Sequence, residues 1–394
     1  MKVLKAYKTE IAPNNVQRTL LLKHAGAARY AYNWGLNEKK KAFDAKQKIP
    51  NAIELHRRLN ALKPTDFPWM YEVSKCSPQE ALRNLDRAFD NFFRRCKAKK
   101  QGKHKGKAGF PRFKSKKKKG VGSFRLTGTI KVSDDKIQLP RLGTLNLKEK
   151  NYLPPEAKIL SATISEHAGR WFVSIQVEET IADPQLKPEA IVGIDLGIKT
   201  LATCSDGTSF ENPKALRRNM KKLKRLSRSL HRKQKGSRNR KKAARRLAKL
   251  HYRIGNIRKD TIHKMTTSLT KSKSVIGIED LNVSGMMKNH CLAQAISDLG
   301  LHEFRRQLDY KGKLYGCQIV VVDRFFPSSK MCNVCGCLND NLELSDRSWS
   351  CDCGAHHDRD MNAATNLKNY TVKAVVSSTK ALNAYGGDLP LVSS

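Results

Sequence analysis

Acid is what this chain has little of. Its 394 residues carry 35 Asp and Glu against 77 Lys and Arg, a formal net charge of +42 at neutral pH. An excess that large repels itself in a compact state, which argues against a protein that works without a polyanion and makes nucleic acid the expected partner. Long apolar runs are missing as well. No stretch approaches the roughly 18 apolar residues of a membrane span, so no membrane association is expected. The opening MKVLKAYKTEIAPNN has neither an apolar h-region nor a cleavage site, and the expectation is a soluble intracellular protein. A disulfide framework is also lacking. Cys76, Cys96, Cys204, Cys291 and Cys317 are scattered and read as reduced packing residues.

The other five cysteines, Cys332, Cys335, Cys337, Cys351 and Cys353, crowd into one segment, as metal ligands do. Cys332 and Cys335 form a C-x-x-C knuckle followed by Gly336, and Cys351 and Cys353 form a C-x-C pair. Four thiolates around tetrahedral Zn²⁺ close a structural site. The short second knuckle leaves Cys337, His356 and His357 as alternative ligands.

Hydrophobic periodicity divides the rest. Residues 1–12 alternate as a strand does, and residues 15–96 place apolar side chains at helical spacing. KAKKQGKHKGKAGFPRFKSKKKKG follows, a Lys- and Gly-rich stretch too polar for a core and expected to be a solvated loop or an arm that orders on nucleic acid. Its GFPRF interleaves aromatics with cations, a pattern suited to stacking on bases. From Ser123 to Glu179 short strands (SFRL, TIKVSD, KIQLP, WFVSIQVEE) suggest a small β-barrel, into which the helices are inserted if residues 1–12 pair with them. Past the linker TIADPQLKPEA, a strand IVGID and a hairpin lead to a basic helical pair at 214–268. Its stripes are Leu216, Met220, Leu223, Leu226 and Leu230 on one helix, and Leu247, Leu250, Ile254 and Ile257 on the other. A strand SVIGIED, an amphipathic helix, a strand QIVVVD, the Cys segment and a last helix near Asp360 complete an α/β pattern.

Asp195 and Glu279 end otherwise apolar strands, where an ionised carboxylate is costly unless it is hydrogen-bonded or holds a cation. Asp358 and Asp360 open the last helix, and either acid is able to be its N-cap. A strand with Asp, a hairpin, a later strand with Glu and an acid on a terminal helix is the order of parts in an RNase H-like nuclease. Such cores hold Mg²⁺ or Mn²⁺ on carboxylate oxygens.

At GIDLGIKTLATCSDG, IEDLNVSGM, SKMCNVCG and CGAHHDRDMNAATNL, with weaker marks at GFPRFKSK and KIQLPRLG, the chain resembles the TnpB (OrfB) family of insertion sequences. That family is similar to the type V CRISPR effector nucleases. The resemblance implies a transposon-encoded, RNA-guided DNA endonuclease cutting beside a short flanking motif. It would act in the prokaryotic cytoplasm, nucleoid-associated when on DNA, on double-stranded target DNA. Its guide RNA would come from the transposon end, with one monomer favoured per guide. Asp195, Glu279 and Asp360 match the catalytic and Mg²⁺-binding triad, Asp360 being chosen because the family's acid lies two residues before the Asn, here Asn362. Cys332, Cys335, Cys351 and Cys353 are the Zn²⁺ ligands that their own spacing suggests. Lys75, Gln79, Asn84, Phe110, Arg112, Phe113 and Lys114 are the candidate nucleic-acid contacts.

The implied architecture is a β-barrel wedge-like domain (1–14 and 121–182) with an inserted helical recognition domain and basic arm (15–120). A RuvC-like α/β nuclease domain (186–326 and 355–372), a zinc ribbon insertion that binds target nucleic acid (327–354) and a tail (373–394) follow. Two other readings remain at this point: a nuclease-inactive RNA-guided DNA-binding protein or repressor, and a transposase joining DNA strands directly.

Overall fold

The computed structural model describes residues 1–104, 106–116, 120–154, 156–185, 190–343 and 345–384. The end of the expected tail, 385–394, part of the linker, 186–189, and part of the arm, 105 and 117–119, lie outside the described residues. The chain forms two compact units, Met1–Ala182 and Asp183–Ser394.

In the first unit β1 (Lys2–Ile11) pairs antiparallel with β7 (Arg170–Thr180) along its whole length, from Lys2 opposite Thr180 to Ile11 opposite Trp171. With β6 (Lys158–His167) and β2 (Ser123–Leu126) they make a sheet ordered β1-β7-β6-β2. β3 (Lys131–Ser133), β4 (Lys136–Leu139) and β5 (Gly143–Asn146) form a second sheet, and an Ile11–Leu147 bridge links it to the end of β1. Alternation in the sequence does not single out β6, because Ser161 and Thr163 interrupt it. Ser161 is buried and donates to Gln176 Oε1 on β7.

Between β1 and β2 run α1 (Asn15–Asp44), α2 (Ala52–Leu62), a 3-10 turn (Pro68–Glu72) and α3 (Cys76–Lys100). Asn14 with Gln17, and Asn51 with Glu54, form capping boxes that fix where α1 and α2 start. The helices bury Leu21, Leu36, Leu55, Leu82 and Leu85 in one core with Phe124, Leu126, Ile164 and Val173 of the sheet. α3 runs to Lys100, so the start of the expected solvated arm is helix: Lys97, Lys99 and Lys100 sit in its last turn, where cations complement the helix dipole.

In the second unit β8 (Ile191–Asp195), β9 (Thr200–Cys204), β10 (Ser209–Glu211), β11 (Val275–Glu279) and β12 (Gln318–Val322) form one sheet ordered β10-β9-β8-β11-β12. β8, β11 and β12 are parallel, and β9 is antiparallel to β8. α4 (Ala215–His231) and α5 (Arg238–Ser272) are the basic pair. Leu216, Leu223, Leu226, Leu250, Ile254 and Ile257 of the predicted stripes meet in a small core between them. Past β11 come the short α6 (Val283–Met286) and α7 (Ala293–Leu299), then α8 (Leu301–Tyr315). The Cys segment follows β12 and carries a ribbon of β13 (Ser348–Ser350) and β14 (His356–Asp358), after which α9 (Arg359–Ala384) closes the fold.

Side chains alternate between the faces of a strand. Val192, Ile194, Ile276 and Ile278 therefore share one face and bury against Ile262, Met265 and Leu269 of α5 and Phe304 and Leu308 of α8. Gly193, Asp195, Gly277 and Glu279 share the other face, which α9 covers.

Candidate metal centres

Gly193 and Gly277 are register partners on β8 and β11. A Cβ on Gly193 would lie 2.1 Å from the Ala364 carbonyl oxygen and 2.3 Å from the Lys368 nitrogen, and one on Gly277 would lie 2.0 Å from Thr371 Oγ1. The two glycines thus leave a trough in which the backbone of α9 rests on the sheet, with Ala363, Ala364 and Leu367 buried. Two residues further along each strand, on the same face, stand Asp195 and Glu279. The first turn of α9 carries Asp360 to them.

The three acids are electrostatically coupled. Asp195, only partly accessible at its strand end, has its carboxyl pushed up to about 7 by burial first and then by the charges of Glu279 and Asp360. Arg359 and the Leu196 backbone oppose the rise. Ser328 Oγ donates to Glu279 Oε1. Asp358 has a different occupation: it is exposed, and its Oδ1 accepts from Met361 N at 2.9 Å, an N-cap interaction. A partly buried set of carboxylates, one of which keeps its proton up to about pH 7, is a donor set suited to a hard divalent cation.

The sulfurs of Cys332, Cys335, Cys351 and Cys353 lie within 4.8 Å of one another. Cys332 and Cys353 Sγ are 3.7 Å apart, and Cys335 and Cys351 Sγ 3.5 Å. A zinc tetrahedron with Zn–S near 2.3 Å has sulfur edges of about 3.8 Å, so this cluster has the size such an ion needs. The Cys337 backbone N–H, with the neighbouring sulfurs, holds the Cys335 thiol down at about 6, which favours the ligating thiolate. Among the alternative ligands, Cys337 is exposed, and its carbonyl accepts from Cys332 N. His356 Nδ1 is 3.0 Å from Ser350 Oγ. His357 is buried beneath Trp349, their rings 4.7 Å apart, and its Nε2 lies 3.1 Å from Cys332 Sγ. It stands beside a sulfur, outside the set of four.

The remaining predicted contacts all lie in the first unit. Lys75, exposed, lines a groove of about 960 Å³ with His56, Lys63, Lys131 and Arg141. Gln79 is half-buried one turn further along α3. Asn84 is exposed and lines a smaller cleft, about 260 Å³, with Lys114 and Arg125. Residues 107–114 are held against the helices: Asn33 exchanges hydrogen bonds with the Lys114 backbone, and Arg95 donates to the Ala108 carbonyl. Phe110 packs edge-on against Phe89 and Phe92, and the Lys114 ammonium sits 3.8 Å over the Tyr32 ring. Arg112 and Phe113 remain exposed.

Missed by sequence reading were Gly193, Gly277 and Ser328, and also Asn362 and Asn366, both buried in α9. A signal for the glycines was present: V-G-I-D and I-G-I-E each place Gly two residues before the acid.

The fold and its two residue clusters define a RuvC-type α/β domain carrying a four-cysteine, zinc-finger-like cluster. Comparison with known proteins agrees. A family model described as "Probable transposase" (OrfB, IS605) matches residues 172–290, and one described as "Cas12f1-like, TNB domain" matches 302–367. A third, described as a helix-turn-helix domain, matches residues 1–48, which fold here as β1 and α1. The chain is 38% identical to a Streptomyces pristinaespiralis protein named "Putative RNA-guided DNA endonuclease", over 93% of this chain and 89% of that one. It is 33% identical to "Putative RNA-guided DNA endonuclease InsQ" of Escherichia coli K12, over 93% and 92%. The chain belongs to the TnpB (OrfB, IS605) family. In fold it is similar to the protein of the "Cryo-EM structure of the Cas12f1-sgRNA-target DNA complex", with TM-score 0.57 at 15% identity, covering 93% of this chain and 99% of that one.

Proposed function

We propose that this protein is an RNA-guided, Mg²⁺-dependent DNA endonuclease of transposon origin. The observation that carries the reading is the convergence of Asp195, Glu279 and Asp360, from three distant segments, on one edge of the sheet, with the Asp195 carboxyl raised to about 7. Three partly buried carboxylates set close together destabilise the fold unless a cation joins them. Asp195, Glu279 and Asp360 would hold the ions, and divalent cations bound there supply an activated water and stabilisation of the leaving oxygen. Ser328 orients Glu279 through its hydroxyl.

Cys332, Cys335, Cys351 and Cys353 would hold one structural Zn²⁺, with His357 set against the Cys332 sulfur to orient it. The first unit, with its cationic groove and Lys75, Gln79, Asn84, Arg112, Phe113 and Lys114 on its surface, would hold the guide RNA and the duplex beside the target. Its phosphate contacts position the complex while guide pairing reads sequence. The relatives whose printed names say RNA-guided DNA endonuclease support this reading.

The test is to purify the protein with its copurifying RNA, sequence that RNA, and offer duplex DNA matching its variable end. Mg²⁺-dependent cutting of matched DNA is expected, and Asp195→Ala is expected to reduce it to background while matched DNA is still bound. Cutting that survives Asp195→Ala removes the carboxylate assignment, and joined transposon ends without any RNA would favour a strand-joining transposase instead.

A further inference from the structure

The loop between β12 and the Cys segment touches both metal centres. Ser328, buried, donates through its hydroxyl to Glu279. Its carbonyl accepts from Asn366 Nδ2 at 2.8 Å, and the same amide donates to the Met331 carbonyl at 2.6 Å. One turn earlier on α9, Asn362 Nδ2 donates to the Met331 carbonyl at 2.8 Å, while Asn362 Oδ1 accepts from Asn333 N at 3.1 Å. Cys332, the buried sulfur of the cluster, lies between Met331 and Asn333. Asp360 is two residues before Asn362 on the same helix. An unbroken path of hydrogen bonds and single peptide steps therefore runs from Glu279 through Ser328, Asn366, Met331 and Asn362 to the first knuckle, and α9 carries it back to Asp360.

Two asparagines are poor choices for a helix interior, where they compete with the backbone for hydrogen bonds. Both are 1% exposed, and a buried amide is costly unless it is paired. Here both amides serve the loop and not the sheet, which α9 meets through Ala363, Ala364 and Leu367. Packing alone explains those three residues and leaves the asparagines without a reason.

We propose that Ser328, Asn362 and Asn366 are positioning residues that lock the thiolate cluster to the carboxylate centre, so that the fold of the first knuckle sets the spacing of Glu279 and Asp360. The inference rests on the carboxylate reading given above. The knuckle fixes Met331 and Asn333, these fix the register of α9 along its trough, and the register of α9 fixes Asp360. Outer-sphere partners of metal sites act in this way, and their loss typically costs about 10–100-fold in metal affinity or activity.

Two variants of the RNA-bound protein test it. Asn366→Asp keeps the shape but turns two donated hydrogen bonds into oxygen–oxygen repulsion. Ser328→Ala removes only the hydroxyl that reaches Glu279 and leaves the fold intact. Zinc content is read by elemental analysis. Mn²⁺ binding is read by electron paramagnetic resonance, with the Asp195→Ala complex as the blank. DNA cutting is read at limiting and at saturating Mn²⁺. Both variants are expected to keep their zinc and to bind Mn²⁺ about 10-fold more weakly. Cutting should be lost at limiting Mn²⁺ and recover in part at saturation. Wild-type Mn²⁺ affinity in both variants overturns the proposal. So does zinc loss in Asn366→Asp with an unaltered Ser328→Ala, which would make Asn366 a support of the cluster alone. A wild-type complex with no Asp195-dependent Mn²⁺ site fails differently, because it removes the carboxylate centre itself.

Discussion

The carboxylate centre and the thiolate cluster share one unit of the chain and are built in opposite ways. The oxygens come from residues 195, 279 and 360, are brought together by a sheet and a helix, and are placed by close backbone packing. The sulfurs come from 332 to 353, are brought together by two tight knuckles, and need little beyond their own turns. Their glycines show the same split. Gly193 is there for space, since a Cβ would strike the backbone of α9 at 2.1 Å. Gly336, just after the C-x-x-C, is there for conformation: its φ is +83° and nothing lies within 4 Å of where a Cβ would be. On the proposed reading, the hard site in a rigid frame would cost stability until a cation binds, whereas the soft site in a small loop would gain order from its metal.

The largest effect should come from filling the trough. Gly193→Ala has no flexible side chain to displace, only the backbone of α9, and is expected to destabilise the second unit by about 4 kcal/mol or more. Gly336→Ala, strained but not crowded, should cost only about 1 kcal/mol. Urea unfolding of the two variants decides the matter, and equal costs would end the distinction between a glycine for space and a glycine for conformation.

Removing the cluster metal comes next. Purified protein should carry about one zinc per chain. Cys332→Ser should lose it and destabilise the second unit by about 3 kcal/mol, with new proteolytic cuts confined to 332–357. A zinc-free protein with wild-type protease resistance would show that the knuckles hold without metal, and the contrast with the carboxylate centre would collapse.

What the sequence discloses follows the same division. C-x-x-C followed by Gly is a local signal, readable without knowing the fold, and the four sulfurs do come together. His357 was open as a ligand because spacing cannot say which side of the ribbon a ring occupies, and burial under Trp349 settles where it lies. Asp195 and Glu279 were visible as acids ending apolar strands. Their meeting depends on β8 and β11 being neighbours, which no local pattern states. Asp360 is preferred to Asp358 from its place two residues before Asn362, and the bond from Met361 N to Asp358 gives Asp358 a capping role. Asn362 and Asn366 were present in plain view, but their meaning lies in carbonyls more than thirty residues away. In the first unit the arm read as solvated because its composition is polar; α3 nevertheless extends into it, and Phe110 finds Phe89 and Phe92.

The last expected effect, smaller than those of Gly193→Ala and Cys332→Ser, reverses the usual sign of a substitution at a partly buried site. Asp195 titrates near 3.8 when unfolded and at about 7 when folded without metal. Well below pH 3.8 both states are protonated and the group is neutral to stability. Between the two values the unfolded chain ionises while the folded one keeps its proton, so stability falls as pH rises, and above about 7 the full penalty is present. Asp195→Asn removes it. In buffer that retains zinc and omits Mg²⁺, the variant should be more stable than wild type above pH 7 by about 2 kcal/mol, the shift being discounted because the side chain is partly accessible. That corresponds to roughly 4 °C or more in melting temperature for a unit of this size. The two curves should converge only well below pH 3.8, where both forms of the wild type are protonated. Adding Mg²⁺ should raise the wild type toward the variant and move the variant less, since the variant keeps only Glu279 and Asp360 of the three carboxylates. An Asp195→Asn protein less stable than wild type at pH 8 without Mg²⁺ would mean that burial and the neighbouring acids do not raise the Asp195 carboxyl, and the opposition between a costly oxygen site and a stabilising sulfur site would have to be given up.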